Sequence, residues 1–158
     1  MIAEIRRAKK KDKKKVLELL HQVLAVHHEG RPDLFRPVST KYSDRELDML
    51  FKNDARPVFV AVDEKDHVLG YAFTVVQDYK DNPIMNPVKT LYIDDLCVDE
   101  SLRGQHIGRA LFDYVVAFAK LNGFYNVTLN VWACNENAIA FYQRCGLSVQ
   151  KMGMEIVL

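Results

Sequence analysis

Asp99-Glu100-Ser101-Leu102-Arg103-Gly104-Gln105-His106-Ile107-Gly108-Arg109 joins a β-rich run, Thr90 to Val98, to a helical stripe of Ile107, Leu111, Tyr114, Val115, Phe118 and Leu121. The hydrophobic period changes from two to 3.6 across a short glycine-bearing loop, which predicts strand, loop and helix in immediate succession. Asn122-Gly123 closes the helix as a C-cap. A helix N-terminus preceded by small residues offers free backbone N–H groups and the positive end of the helix dipole, which suits a phosphate. Gly104 and Gly108 permit close backbone approach there, and Arg103 and Arg109 add positive charge. The spacing is neither GxxxxGKS/T nor GxGxxG, which disfavours a P-loop nucleotide triphosphatase and a Rossmann dehydrogenase.

Towards the N-terminus, Pro57 to Val62 and Val68 to Val76 are β-rich runs around the polar Asp63 to His67, a hairpin signature. Ser43 with Glu46 three residues later is a capping box for a helix over about Asp44 to Lys52. Val16, Leu19, Leu20, Val23, Leu24 and His27 recur at helical spacing behind Asp12, a candidate N-cap, and this helix ends near Gly30, before Pro32. Ile2 to Ala8 is a short strand, and the lysines of Lys9 to Lys15 are read as a solvated first turn. The loop from His28 to Pro37 carries charges and an aromatic ring that a plain connector does not need, making it a candidate lid.

Towards the C-terminus, Val127 to Trp132 is a further strand, Asn135 to Cys145 a helix stopped by Gly146, and Ser148 to Leu158 a final strand. Helices alternating with strands around a hairpin predict an α/β fold of the α+β kind: one mixed, mostly antiparallel twisted sheet with helices on both faces. A chain of 158 residues suits a single domain over 1–158.

Composition narrows the function. A net charge of +1 provides no global field for nucleic acid or an anionic membrane, and no aromatic residue interleaves the lysines of the basic run, so no nucleic-acid partner and no membrane partner is expected. Apolar runs are too short to span a bilayer, and the N-terminal residues lack a signal-peptide layout, which points to a cytoplasmic location. Cys97, Cys134 and Cys145 show no metal spacing, so packing is their expected role and no metal is expected.

About thirty residues after the first loop stands Asn135-Glu136-Asn137-Ala138-Ile139-Ala140-Phe141-Tyr142. Capping by Asn135 and packing by Phe141 and Tyr142 would each suffice separately. In order and at this distance from the anion loop, the two motifs resemble those of the GNAT superfamily of acyl-CoA-dependent N-acetyltransferases, from about Tyr92 to Gly146.

The resemblance implies a GNAT-like fold and an enzyme transferring an acetyl group from acetyl-CoA to a primary amine, by direct attack in a ternary complex. It implies that Arg103, Gly104, Gln105, His106, Ile107, Gly108 and Arg109 bind the coenzyme A pyrophosphate, with His106 where the family usually has glycine. Leu96, Cys97 and Val98 would pair with the pantetheine arm like an added strand, and Asn135 would contact it. Tyr142 resembles the family's general acid, and a phenol is a chemically suitable donor to a departing thiolate.

An amine also needs a base, directly or through water. Asp94 is the candidate base and Asp95 a substrate contact, since the Ile-Asp-Asp-Leu segment resembles the acidic pair of polyamine-type members. As neighbours on a regular strand the two should point to opposite faces, Asp94 with Tyr92, Leu96 and Val98. Glu29 and Asp33 in the lid loop could attract an amine, whereas Arg31 and Arg36 could instead hold a carboxylate or phosphate, and the sequence does not decide between them. The expected acceptor is a small amine such as a polyamine or aminoglycoside, or a protein N-terminus, with a homodimer as a possible assembly. The alternative is a non-catalytic acyl-CoA-binding or interaction module on the same fold.

Overall fold

The computed structural model describes residues 1–37 and 40–158. Five strands, β1 (Glu4–Arg7), β2 (Val58–Val62), β3 (Val68–Asp78), β4 (Lys89–Val98) and β5 (Asn126–Leu129), form one sheet in chain order. The first four are antiparallel neighbours, and β5 lies parallel to β4. The helices are α1 (Lys13–Gly30), α2 (Asp44–Leu50), α3 (Ile107–Leu121) and α4 (Glu136–Arg144).

The unbroken apolar run of β2 follows from its place between two layers, since a strand covered on both faces has no polar side. Val58, Val60 and Val62 join Val16, Leu19 and Leu20 of α1 and Leu47 and Leu50 of α2. Phe59 points the other way, into a cluster with Leu91, Ile93 and the α3 residues Phe112, Val115 and Ala119, against which Phe141 and Tyr142 of α4 pack. Helices therefore cover both faces of a mostly antiparallel sheet, as the sequence predicts.

The capping box at Ser43 and Glu46 forms in both directions. Lys9, Lys10, Lys11 and Lys14 are exposed, as a mostly solvated helix entry requires, but Lys13 and Lys15 are drawn into ion pairs. Lys13 reaches Asp44 at 2.6 Å and Asp48 at 2.8 Å, tying α1 to α2, and Lys15 meets Asp99 at 2.5 Å. Asp12 stands at the N-cap of α1 without capping it, because its carboxylate instead receives the Arg6 guanidinium and the Lys9 N–H.

Two strand expectations are corrected. β5 ends at Leu129 rather than Trp132, since its ladder with β4 stops at the Ile93–Leu129 pair. Ser148 to Leu158 forms no strand: the segment makes no backbone hydrogen bond to the rest of the described residues and every residue in it is exposed. Its alternating sequence is strand-prone, but a strand requires an edge to pair with, and α4 delivers this segment beside the end of α1, where Arg31 holds Glu155.

Candidate active site

The cleft begins where β4 and β5 part. β4 remains paired to β3 through Val98, whereas β5 accompanies it only from Thr90 to Ile93. Beyond Ile93 one edge of β4 has no strand beside it among the described residues, and Leu96, Cys97 and Val98 lie on that open stretch. Unpaired strand edges present backbone donors and acceptors to any extended amide-bearing arm.

The open edge leads into the loop before α3. Gly104 has φ +80° and His106 φ +61°, so the left-handed turn falls on the histidine that stands where the related pattern has glycine. Histidine tolerates this region better than a β-branched residue. The first intrahelical bond of α3 runs from the Ala110 N–H to the His106 carbonyl, which leaves the N–H groups of Ile107, Gly108 and Arg109 without an intrahelical acceptor. A Cβ on Gly108 would lie 3.5 Å from both Phe141 and Val98, an ordinary van der Waals contact, so α3 packs closely against α4 and β4 here with room for no more than a methyl group. Arg103 and Gln105 are exposed beside the loop. Arg109 instead grips Asp113 at 2.9 Å and the Arg144 carbonyl at 3.3 Å, bridging α3 to the end of α4.

The acidic pair departs from the regular-strand expectation. Phe73 faces Asp95 and Thr74 faces Ile93, so Asp94 is the additional residue of a β-bulge. The bulge cancels the alternation. Asp95 accepts a 2.7 Å hydrogen bond from the Tyr71 hydroxyl, and Tyr71 belongs to the α1 and α2 layer. Asp94 is met from the same layer by the Lys41 ammonium at 2.7 Å and the Tyr42 hydroxyl at 3.2 Å, with Tyr42 stacked on Phe73. Both carboxylates thus face one side, and Asp94 does not share the face of Leu96 and Val98, which pack towards α3.

Burial pushes the Asp95 carboxyl up to about 6; the Tyr71 hydrogen bond and the Lys41 charge act against this, and Asp94 adds to it. Tyr142, in α4, is half-buried against Phe112 and Phe141. Its hydroxyl makes no hydrogen bond among the described residues. Burial first, and then the charge of Asp95, holds its phenol well above the ordinary tyrosine range. Asn135 caps α4, its side chain accepting from the Ala138 N–H at 3.1 Å. Cys97 is buried, with its thiol pushed up to about 12 by burial, so packing is its role; Cys134, by contrast, is exposed.

In the loop after α1, Arg31 forks Asp33 at 2.9 and 2.7 Å, while Glu29 is exposed on the last helical turn. Phe35 packs between His27 and Trp132, building an aromatic wall. Lys41, Tyr42 and Tyr71 were not singled out from sequence; they lie 53, 52 and 24 residues from their carboxylate partners. A register for the β3–β4 pair would have placed Tyr71 beside Cys97, but nothing local marks Lys41.

Both the sequence and the fold resemble those of known proteins. Residues 23–147 fit the acetyltransferase (GNAT) family, and the chain belongs to that family. A variant of the BH1408 protein from Bacillus halodurans has a crystal structure of TM-score 0.92 to this one at 33% identity, covering 98% of this chain and 99% of that chain. Glucosamine 6-phosphate N-acetyltransferase from Arabidopsis thaliana is 26% identical over 122 residues, 74% of this chain and 78% of the plant protein. The peptidyl-lysine N-acetyltransferase YjaB of Escherichia coli (strain K12) is 29% identical over 93 residues, which are 59% of this chain and 50% of YjaB, so the chain spans about half of that relative. Membership makes the protein an N-acetyltransferase-type acyltransferase, for which the family implies acetyl-CoA as co-substrate. No helix among the described residues is long and apolar enough to cross a membrane.

Proposed function

We propose that this chain, acting as one domain over 1–158, moves an acetyl group from acetyl-CoA to the primary amine of a cationic acceptor by direct attack in a ternary complex. The observation that carries the acceptor class is the Lys41 ammonium on Asp94 at 2.7 Å: the acid pair already holds a primary amine.

The residues present fit coenzyme A. Free N–H groups at the start of α3, with exposed Arg103 and Gln105 and the turn through Gly104 and His106, suit its pyrophosphate. The open edge at Leu96, Cys97 and Val98 suits the amides of its pantetheine arm, and Asn135, at the start of α4, is the proposed side-chain contact to that arm. Arg109 serves here through its bridge to α4 more than through its charge. Acetyl-CoA supplies an activated thioester carbonyl.

The electrostatics favour exchanging the two aspartate roles read from sequence. Asp94, with its ammonium partner, is suited to hold the acceptor, and Asp95, whose proton leaves near pH 6, is suited to take the amine proton directly or through water. Tyr142, whose phenol burial keeps protonated throughout the neutral range, is the proposed donor of a proton to the departing sulfur. Glu29, exposed on the last turn of α1 and unpaired among the described residues, is available to attract a cation, whereas the charge of Asp33 is matched by Arg31. Two facing carboxylates disfavour a phosphorylated acceptor and favour a polyamine, an aminoglycoside or a peptide amine. Three unbridged cysteines accord with the cytoplasm as the proposed location.

A thiol-release assay with acetyl-CoA and a panel of amines tests the reading. Turnover with polycationic amines above that with amino-sugar phosphates is expected. Turnover confined to anionic acceptors would overturn the acceptor class, and absence of acetyl-CoA binding by calorimetry would overturn the reaction.

A further inference from the structure

Lys41 lies between α1 and α2, and its side chain reaches the floor of the candidate site. Its ammonium donates to Asp94 Oδ2 at 2.7 Å, the oxygen that also accepts from the Tyr42 hydroxyl, and stands 5.6 Å from the centre of the Tyr42 ring. The side chain is 35% exposed, so it is held in place yet open to a reactant. Lys13 and Lys15 are tied instead to Asp44, Asp48 and Asp99, and neither meets Asp94 or Asp95.

The direction of a bound acyl-CoA brings its reactive end to this ammonium. With the pyrophosphate at the start of α3 and pantetheine on the open edge, the arm runs from Val98 back towards Leu96. Asp94 lies two residues further along the same strand, about 7 Å from Leu96. The thioester therefore arrives beside the carboxylate that already holds a primary amine.

We propose that Lys41 is the enzyme's own first acceptor: its Nζ takes the acetyl group from acetyl-CoA bound to the same chain, an inference that rests on the acetyl-transfer reading above. The ammonium gives one proton to Asp95, directly or through water, and the freed lone pair attacks the thioester carbonyl. The C–N bond forms and the C–S bond breaks. The departing thiolate takes a proton from Tyr142, which the second Nζ proton restores. The net products are N-acetyl-Lys41, free coenzyme A and one proton. Because the amide carries no charge, the modification ends the ion pair and leaves Asp94 to a diffusing amine.

An amine held within the site needs no encounter step, an advantage over lysines elsewhere. Chemical acetylation without the site has the opposite preference. Burial acts to lower the Lys41 pKa, but the hydrogen bond and charge of Asp94 outweigh it and hold the ammonium above the ordinary lysine range. Unassisted reaction with acetyl-CoA should therefore reach the exposed Lys65 and Lys120 before Lys41.

The full chain, incubated with acetyl-CoA and no added amine, is read by peptide mass spectrometry. Lys41 should gain about 42 Da at an initial rate at least about tenfold above that of Lys65 and Lys120. The rate constant should not change over a roughly tenfold range of protein concentration, as transfer within one chain requires. Asp95→Asn and Tyr142→Phe, each checked for folding by circular dichroism, should slow the gain at Lys41 about 10²-fold and leave Lys65 and Lys120 as in the wild type. An unmodified Lys41 in a protein that acetylates added amines overturns self-acetylation and leaves the enzyme reading intact, whereas failure to bind acetyl-CoA by calorimetry removes both. Acetylation of Lys41 that is no faster than that of Lys65 and Lys120, that is unaltered in both variants, or that scales with protein concentration also overturns the proposal.

Discussion

Asp94 and Asp95, adjacent on β4, face the same side of the sheet because Asp94 is the additional residue of a bulge opposite Phe73 and Thr74. Two carboxylates so placed disfavour each other's ionisation. Burial is what chiefly raises the Asp95 carboxyl and the Asp94 charge adds to it, while Lys41 pairs with Asp94.

Asp95→Asn separates catalysis from folding. If Asp95 takes the amine proton, kcat of the wild type rises with pH through about 6 and the variant loses about 10²-fold or more. Its stability should move the other way. A folded-state value raised above 3.8 means that the fold holds this proton more tightly than the unfolded chain does, so stability falls as pH climbs from about 4 to about 6 and the penalty persists above. Removing the ionisation should therefore stabilise the variant at pH 8, by up to about 3 kcal/mol, with little gain near pH 4. Denaturant unfolding at the two pH values measures this. A destabilised variant at pH 8 would mark Asp95 as a structural residue.

Tyr142→Phe deletes a hydroxyl that has no protein partner among the described residues, so the melting temperature should stay within about two degrees of wild type. An acid role requires kcat to fall by about 10²-fold while the acetyl-CoA Kd measured by calorimetry is unchanged. Because burial raises the phenol, no loss of its proton should limit the rate between pH 7 and 9. Matched losses of kcat and affinity would refute the assignment.

His106 invites a comparison of two substitutions. At φ +61°, glycine is free of strain, whereas a β-branched residue meets the left-handed penalty of roughly 1–2 kcal/mol. His106→Gly should retain or tighten acetyl-CoA binding, and His106→Val should weaken it about tenfold with a lower melting temperature. Equal affinities in the two variants would show that the loop conformation is not what binds the phosphate.

The sequence was most informative where structure is decided locally. The change of period between Val98 and Ile107, the Ser43–Glu46 box and the Asp63 to His67 hairpin depend on residues within one turn of each other, and all three form. The bulge was not legible, because whether Asp94 or a neighbour is the additional residue depends on the register against β3. Lys41 and Tyr42 reach Asp94 only after α1, α2 and the hairpin have packed. The same reasoning explains residues 148–158, where period two states a preference for strand but does not supply the edge that makes one.

Lys41 gives the sharpest test of how the acid pair works. Its ammonium occupies Asp94, and its charge lowers the titration of Asp95. A cationic acceptor must displace it or share Asp94 with it. Lys41→Met keeps much of the aliphatic stem and removes the charge, with two consequences of opposite value to the enzyme. The vacated Asp94 should bind a cationic amine more tightly, lowering KM several-fold at low ionic strength. Asp95, without the nearby positive charge and facing an uncompensated Asp94, should hold its proton to higher pH, so the rising limb of kcat/KM should move above the wild-type position near 6. Steady-state kinetics from pH 5 to 9 reads both effects in one series. A KM that rises with an unmoved limb would show that Lys41 orders the loop and has no electrostatic part in the site.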